Sequence, residues 1–250
     1  MQLYLKSRLT SMAAILVLLT LSFLSCKNKS GTATGEKTQT ADSLAAGQPD
    51  FRLGSFTGPF GDNKITILVS VINGDTVKGR SVVGGNDRPF SGMITKEESR
   101  WHFHAAEPGD HPDDGVFDLY LDPGLPGLLT GNWKANDKTR PAKTFSLVRK
   151  EFRYDTTVGE YPQASARLLV PEDVENMMKE DLNYMRNEIY ARHGYCFSRR
   201  SMRDLFETES WYIPNSADIR NALTDTEKKN IALIKRYEKY AEEYGDEYGR

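Results

Sequence analysis

Three of the four histidines, His102, His104 and His111, fall within ten residues, with Asp110, Asp113 and Asp114 beside them. Two histidines one residue apart on a strand place both rings on one face, which can begin a zinc or copper site. One reading is therefore a metal-dependent hydrolase built on His102, His104 and His111. The other takes "EPGDHPDDG" as a polar loop and turns both strand rings to solvent, with no metal and no cofactor. The fourth histidine, His193, lies in "NEIYARHGYCF" together with Cys196. A single histidine without a nucleophile or a second carboxylate does not make a hydrolase. Cys196, between Tyr195 and Phe197, reads as a small buried apolar residue, because free cysteine packs as one. On these residues the chain is expected not to be an enzyme.

Cys26 offers different chemistry. Lys6 and Arg8 precede an apolar run, "MAAILVLLTLSFL", from Met12 to Leu24. The run is shorter than the roughly 20 residues that span a bilayer and suits a signal peptide, residues 1–25. "FLSC" then resembles the lipobox of bacterial lipoproteins, with Phe23 as a departure from it. The resemblance implies cleavage before Cys26 and attachment of palmitate-type chains there, each buried CH₂ adding about 0.8 kcal/mol of membrane affinity. Lys27 follows rather than an aspartate. By analogy with bacterial sorting this favours the outer membrane, facing the periplasm. Residues 26–50 then hold almost no large apolar side chain and read as a flexible tether. Its reach would be about 25–30 Å.

The elements that must position these groups begin at Phe51. Eight short alternating runs follow, "GSFTGPF", "KITILVSVI", "TVKGRSVV", "PFSGMIT", "WHFHAA", "VFDLYLD", "LLTGNWKA" and "TFSLVRKEF". Turn residues separate them, among them the hairpin signal "NGD" at 73–75. Alternation puts Phe90, Ile94, Trp101, Phe103, Phe117, Leu119, Leu121, Leu129, Trp133, Phe145 and Leu147 on one face. His102, His104, Asp118, Tyr120, Asp122, Asn132 and Lys134 fall on the other. This pattern predicts an antiparallel eight-stranded barrel over residues 51–154, broadly lipocalin-like in shape, with a β-sandwich as the rival. The bulky inward set favours a filled interior over a ligand cavity.

Residues 155–169 read as a linker, and residues 170–244 as a helical module of three helices. The first helix puts Leu182, Met185 and Ile189 on one face and ends at Gly194, which supplies a left-handed cap. The second starts at Ser198 as N-cap, with Met202, Leu205 and Phe206 inward, and Trp211 plugs the gap after it. The third opens on the capping-box spacing Thr224 to Glu227 and buries Ile231, Ile234 and Tyr237.

Three stretches, "LNYMRNEIYARHGYCF", "LFETESWY" and "LTDTEKKNIALIKRYEK", closely resemble the YARHG domain. The match runs from about Val170 to Lys239 and includes Arg186, Asn187, Glu188, Tyr190, Arg192, His193, Gly194, Trp211 and Asn230. The resemblance implies a small extracytoplasmic helical module attached to varied partners in bacterial envelope proteins, and no particular reaction.

On a helical wheel Arg186 and His193 lie within about 40° of Leu182, so each needs a partner in the core. Glu227 is the preferred partner for Arg186, with Glu207 and Glu209 as alternatives. Glu188 and Arg192 are spaced as a surface pair. Two readings of the motif follow. In one, Arg186, His193 and their carboxylate form a buried network that fixes the helices. In the other, Arg186, Tyr190, Arg192 and His193 line a groove for an anionic or sugar ligand. The expected protein is a non-catalytic envelope lipoprotein that binds or scaffolds a cell-wall polymer, a small ligand or an envelope protein. The net charge of −2 gives no footprint for nucleic acid.

Overall fold

The computed structural model describes residues 50–244. The expected signal peptide, Cys26 and the tether up to residue 49 lie outside them. Eight strands follow in order: β1 (Gly54–Phe60), β2 (Asn63–Asn73), β3 (Thr76–Val83), β4 (Asn86–Glu97), β5 (Arg100–Ala106), β6 (Gly115–Leu121), β7 (Leu128–Ala135) and β8 (Lys143–Arg149). Each pairs antiparallel with the next, and β8 closes on β1 through Phe56↔Arg149 and Thr57↔Val148. The barrel is therefore closed, as the alternation predicts, and the sandwich alternative does not hold. Closure pairs the first and last strands with each other instead of leaving both as free edges.

Of the residues assigned inward, all but Trp101 are buried. Trp101 is half-buried, with the Arg52 guanidinium 4.4 Å above its ring. Phe56, Ile65, Ile67, Val69 and Val77 join them in one continuous core inside the barrel. Burying each large side chain of this kind contributes about 1.5–3 kcal/mol. The turn at Gly74 is a two-residue hairpin loop between Asn73 and Thr76, and Gly74 adopts the positive φ of +57° that such a turn requires.

After the barrel the described residues form helices joined by irregular segments: α1 (Gln163–Ala166), a 3₁₀ turn (Pro171–Asp173), α2 (Lys179–Arg192), α3 (Arg200–Phe206) and α4 (Asp225–Tyr244). The expected first helix is shorter than the sequence suggests. Its opening residues form the 3₁₀ turn instead, where Asp173 accepts the Val170 N–H at 2.8 Å and pairs with Arg167 at 2.7 Å. Leu182, Met185 and Ile189 of α2 pack against Ile231 and Ile234 of α4.

The α2 terminus is a Schellman motif. Tyr195 donates to Tyr190 O at 3.1 Å and Gly194 to Ala191 O at 2.8 Å, with Gly194 at φ +68°. Ser198 does not cap α3: Arg199 occupies that position and makes no side-chain capping bond. Met202 and Phe206, four residues apart, turn inward, whereas Leu205 is exposed, about 100° round the helix from Phe206. The capping box at α4 forms as expected. Glu227 donates its N–H to Thr224 Oγ1 at 3.1 Å and its carboxylate accepts the Thr224 N–H at 2.9 Å.

Residues 155–169 do more than link. Asn230 of α4 accepts the Leu169 N–H at 2.9 Å and donates to Ala164 O at 2.8 Å and Arg167 O at 2.7 Å. Every polar atom of that buried amide is thus spent on holding this segment.

The barrel and the helices are also in contact. The Lys64 N–H donates to Glu207 Oε2 at 2.7 Å, and its ammonium donates to Glu209 O at 2.9 Å and Tyr212 O at 3.2 Å. Arg80 donates to Asn215 O at 2.7 Å. The Gly85 N–H, in the β3–β4 turn, lies 3.1 Å from Cys196 Sγ.

Candidate functional site

The YARHG residues divide into two sets. The first is buried and spent on structure. His193, at the C-cap of α2, lies 2.7 Å from Glu227 Oε2 through its Nε2. The Tyr154 ring stacks on the imidazole at 4.3 Å, and its hydroxyl donates to Glu227 Oε1 at 3.0 Å. Burial alone would raise the Glu227 carboxyl. Hydrogen bonds from His193, the Thr224 backbone and Ser165 outweigh it and lower the carboxyl to about 2. The same contacts act in reverse on Tyr154: burial, then the neighbouring Glu227, pushes its hydroxyl up to about 12.

Arg192 and Glu188 form the second buried unit. They are an ion pair, and both side chains are 0% exposed, so they are not the surface pair that their spacing suggests. The Glu188 carboxylate also accepts the N–H groups of Glu160 and Tyr161. Arg192 donates to Val158 O at 2.9 Å and to Ser165 Oγ at 3.2 Å. A charged pair out of water needs this saturation, because each unsatisfied donor or acceptor would add to the desolvation cost. Gly159 belongs to the same unit: a Cβ there would overlap the Glu188 carboxylate.

Arg186 is not paired with Glu227, Glu207 or Glu209. It binds Glu238, about three turns further along α4, with Nε 3.0 Å from each carboxylate oxygen. Glu227 faces His193 because both sit where the end of α2 meets the start of α4. Arg186, two turns back along α2, meets the later part of α4 as the helices run past one another.

The second set opens onto a cavity of about 820 Å³ between α2, α3 and the segment before α4. Arg186, Asn187, Tyr190, Arg199, Asp218 and Arg220 line it. Asn187 is held by its own helix, donating to Asn183 O at 2.8 Å. Arg192 and His193 are absent from the lining, so the expected groove keeps only Arg186 and Tyr190 of its four members. Trp211 is also absent: it stands edge-on to Phe206 at 6.4 Å, in an aromatic cluster with Tyr212 and Phe197. Cys196 is buried, and burial raises its thiol to about 11, as expected of a packed residue.

The histidines of the barrel are arranged differently from the expected trio. His102 Nε2 and His104 Nδ1 lie 3.1 and 2.7 Å from Asp118 Oδ1. His111, in the β5–β6 loop, contacts Asp113 instead, at 3.7 Å. The third partner is therefore Asp118, which the antiparallel register places directly opposite His104. Burial would raise the Asp118 carboxyl, but hydrogen bonds from His104 and His102 outweigh it and hold it below the usual carboxylate range.

No curated protein and no solved structure matches this chain. Residues 159–239 match the family model described as the YARHG domain. That match begins at 159 rather than 170, which agrees with the packing of the 158–169 segment onto Glu188, Arg192 and Asn230. The helical part of the chain over residues 159–239 therefore carries a YARHG domain, the family that the residues around Tyr190 to Gly194 resemble.

Proposed function

We propose that this protein is a lipid-anchored, non-catalytic envelope protein whose YARHG domain binds an anionic or sugar-containing cell-wall polymer. The observation that carries the reading is the cavity lined by Arg186, Arg199 and Arg220 with Asn187 and Tyr190, in which Arg220 also pairs with Asp218 and Arg186 with Glu238. Guanidinium groups recognise anionic oxygens through paired donors, and an aromatic face with an amide beside it suits a sugar ring. The non-catalytic reading is supported by the fate of the remaining polar motif residues. His193, Glu227, Glu188 and Arg192 are all buried in hydrogen bonds to the protein itself. Cys26 would hold the domain at the membrane, at the periplasmic face of the outer membrane.

The test is cosedimentation of the purified full chain with isolated cell-wall sacculi. Arg199→Glu combined with Arg220→Glu should weaken binding at least tenfold and leave the unfolding midpoint in place, since both side chains are exposed. Absence of cosedimentation by the unmutated chain would overturn the reading, as would a charge-reversed chain that binds as before.

A further inference from the structure

We propose that His102, His104 and Asp118 form a binding site for a divalent transition-metal cation on the outer face of the barrel. The site is separate from the YARHG cavity and independent of what that cavity binds. Its geometry follows from two strand rules. His102 and His104 are two residues apart on β5, so both rings stand on one face. Asp118 on β6 is the cross-strand partner of His104, which brings its carboxylate between them. One donor atom from each of the three residues lies within 4.8 Å of the others. Zinc bonds of about 2.0–2.2 Å to nitrogen and oxygen require tetrahedral ligand atoms about 3.3 Å apart. The separations of 2.7 and 3.1 Å across Asp118 Oδ1 would open by about 0.6 and 0.2 Å to reach that spacing.

Asp118 Oδ1 lies within hydrogen-bond distance of one nitrogen of each ring, so the three donor atoms already converge on one spot.

The surroundings orient the ligands as a metal site requires. Glu97 Oε1 lies 2.9 Å from His102 Nδ1. A carboxylate on the far nitrogen of a histidine fixes its tautomer and turns the near nitrogen toward the metal. The His102 ring is stacked on Tyr120 at 4.7 Å and 11°. Tyr120 is covered in turn by the Arg100 guanidinium at 4.1 Å. The His104 side chain is 64% exposed, so solvent reaches the site and can supply further ligands. Two imidazoles and one carboxylate favour zinc, nickel or copper over magnesium or calcium, which take oxygen donors.

The test is titration of the full chain with Zn²⁺ by calorimetry, with Mg²⁺ and Ca²⁺ as comparison ions. The expected result is one Zn²⁺ per chain and no measurable Mg²⁺ or Ca²⁺ binding. His104→Gln and Asp118→Asn should each weaken Zn²⁺ at least tenfold, and His111→Ala should leave it unchanged. Imidazole ¹H–¹⁵N spectra of the unmutated chain should shift for His102 and His104 and stay constant for His111 and His193. This readout needs no variant to fold. The proposal is overturned if Zn²⁺ does not bind one to one, if His104→Gln and Asp118→Asn bind as before, or if the His111 and His193 signals move with the other two.

Discussion

The imidazole of His193 and the carboxylate of Glu227 meet at 2.7 Å where α2 ends and α4 begins, under the ring of Tyr154. Glu227 also closes the α4 capping box. One carboxylate thus joins two helix ends and the strand-side residue Tyr154. His193→Ala is expected to destabilise the chain by about 3 kcal/mol, because it leaves a buried charge short of a partner. Urea unfolding measures the loss, and sacculus binding by the folded fraction should be retained. Unchanged stability with lost binding would move His193 into the ligand groove.

The same carboxylate sets an acid limit. Its folded-state value of about 2 lies below the ordinary value of 4.5. The resulting stabilisation is complete above the ordinary value and fades as pH falls toward about 2. Denaturation midpoints between pH 6 and 2.5 should drop most steeply below pH 4.5. Glu227→Gln should flatten that part of the curve and lower stability at pH 6.

Glu188 and Arg192 should behave as a unit. Either Glu188→Gln or Arg192→Met alone is expected to cost about 3–5 kcal/mol, since each strands the other residue's buried charge. Combined, they should cost clearly less than the sum of the two. A double-mutant cycle in urea gives the coupling, and additive losses would show that the two residues act separately.

Two glycines with nearly equal positive φ separate backbone conformation from space. Gly74 and Gly194 have φ of +57° and +68°. A Cβ at Gly74 meets nothing within 4 Å, whereas one at Gly194 would stand 2.8 Å from Asn215 Cβ, 2.8 Å from Phe152 and 2.9 Å from Ile213 O. Asparagine tolerates this left-handed region. Gly74→Asn should therefore be nearly neutral in a thermal melt, and Gly194→Asn strongly destabilising.

Cys26 and Cys196 should differ in chemistry. Cys196 should resist alkylation at pH 8 in the folded chain and react once urea exposes it, because its thiol is buried and raised to about 11. Cys26→Ser should abolish incorporation of a labelled fatty acid in bacterial cells. Mass spectrometry of the two cysteine peptides reads both outcomes.

The sequence by itself determined whatever depends on neighbours along the chain. Alternation along eight short runs marked the barrel face, down to Phe103, Phe117 and Leu147 in its core. Helical spacing marked Leu182, Met185 and Ile189. Gly194 and the pair Thr224 and Glu227 marked helix ends, because caps are satisfied within one turn. The letters around Tyr190 to Gly194 marked the YARHG domain. Tertiary structure alone decided which charges meet. Glu227 reaches His193 and Glu238 reaches Arg186 only because of how α2 and α4 cross. Glu188 and Arg192 are buried because residues 158–165 fold over them. Asp118 rather than His111 joins His102 and His104 because the β5–β6 register sets them opposite. Periodicity says which side a residue faces, but a partner across the fold is chosen by distances that exist only after the chain has closed on itself.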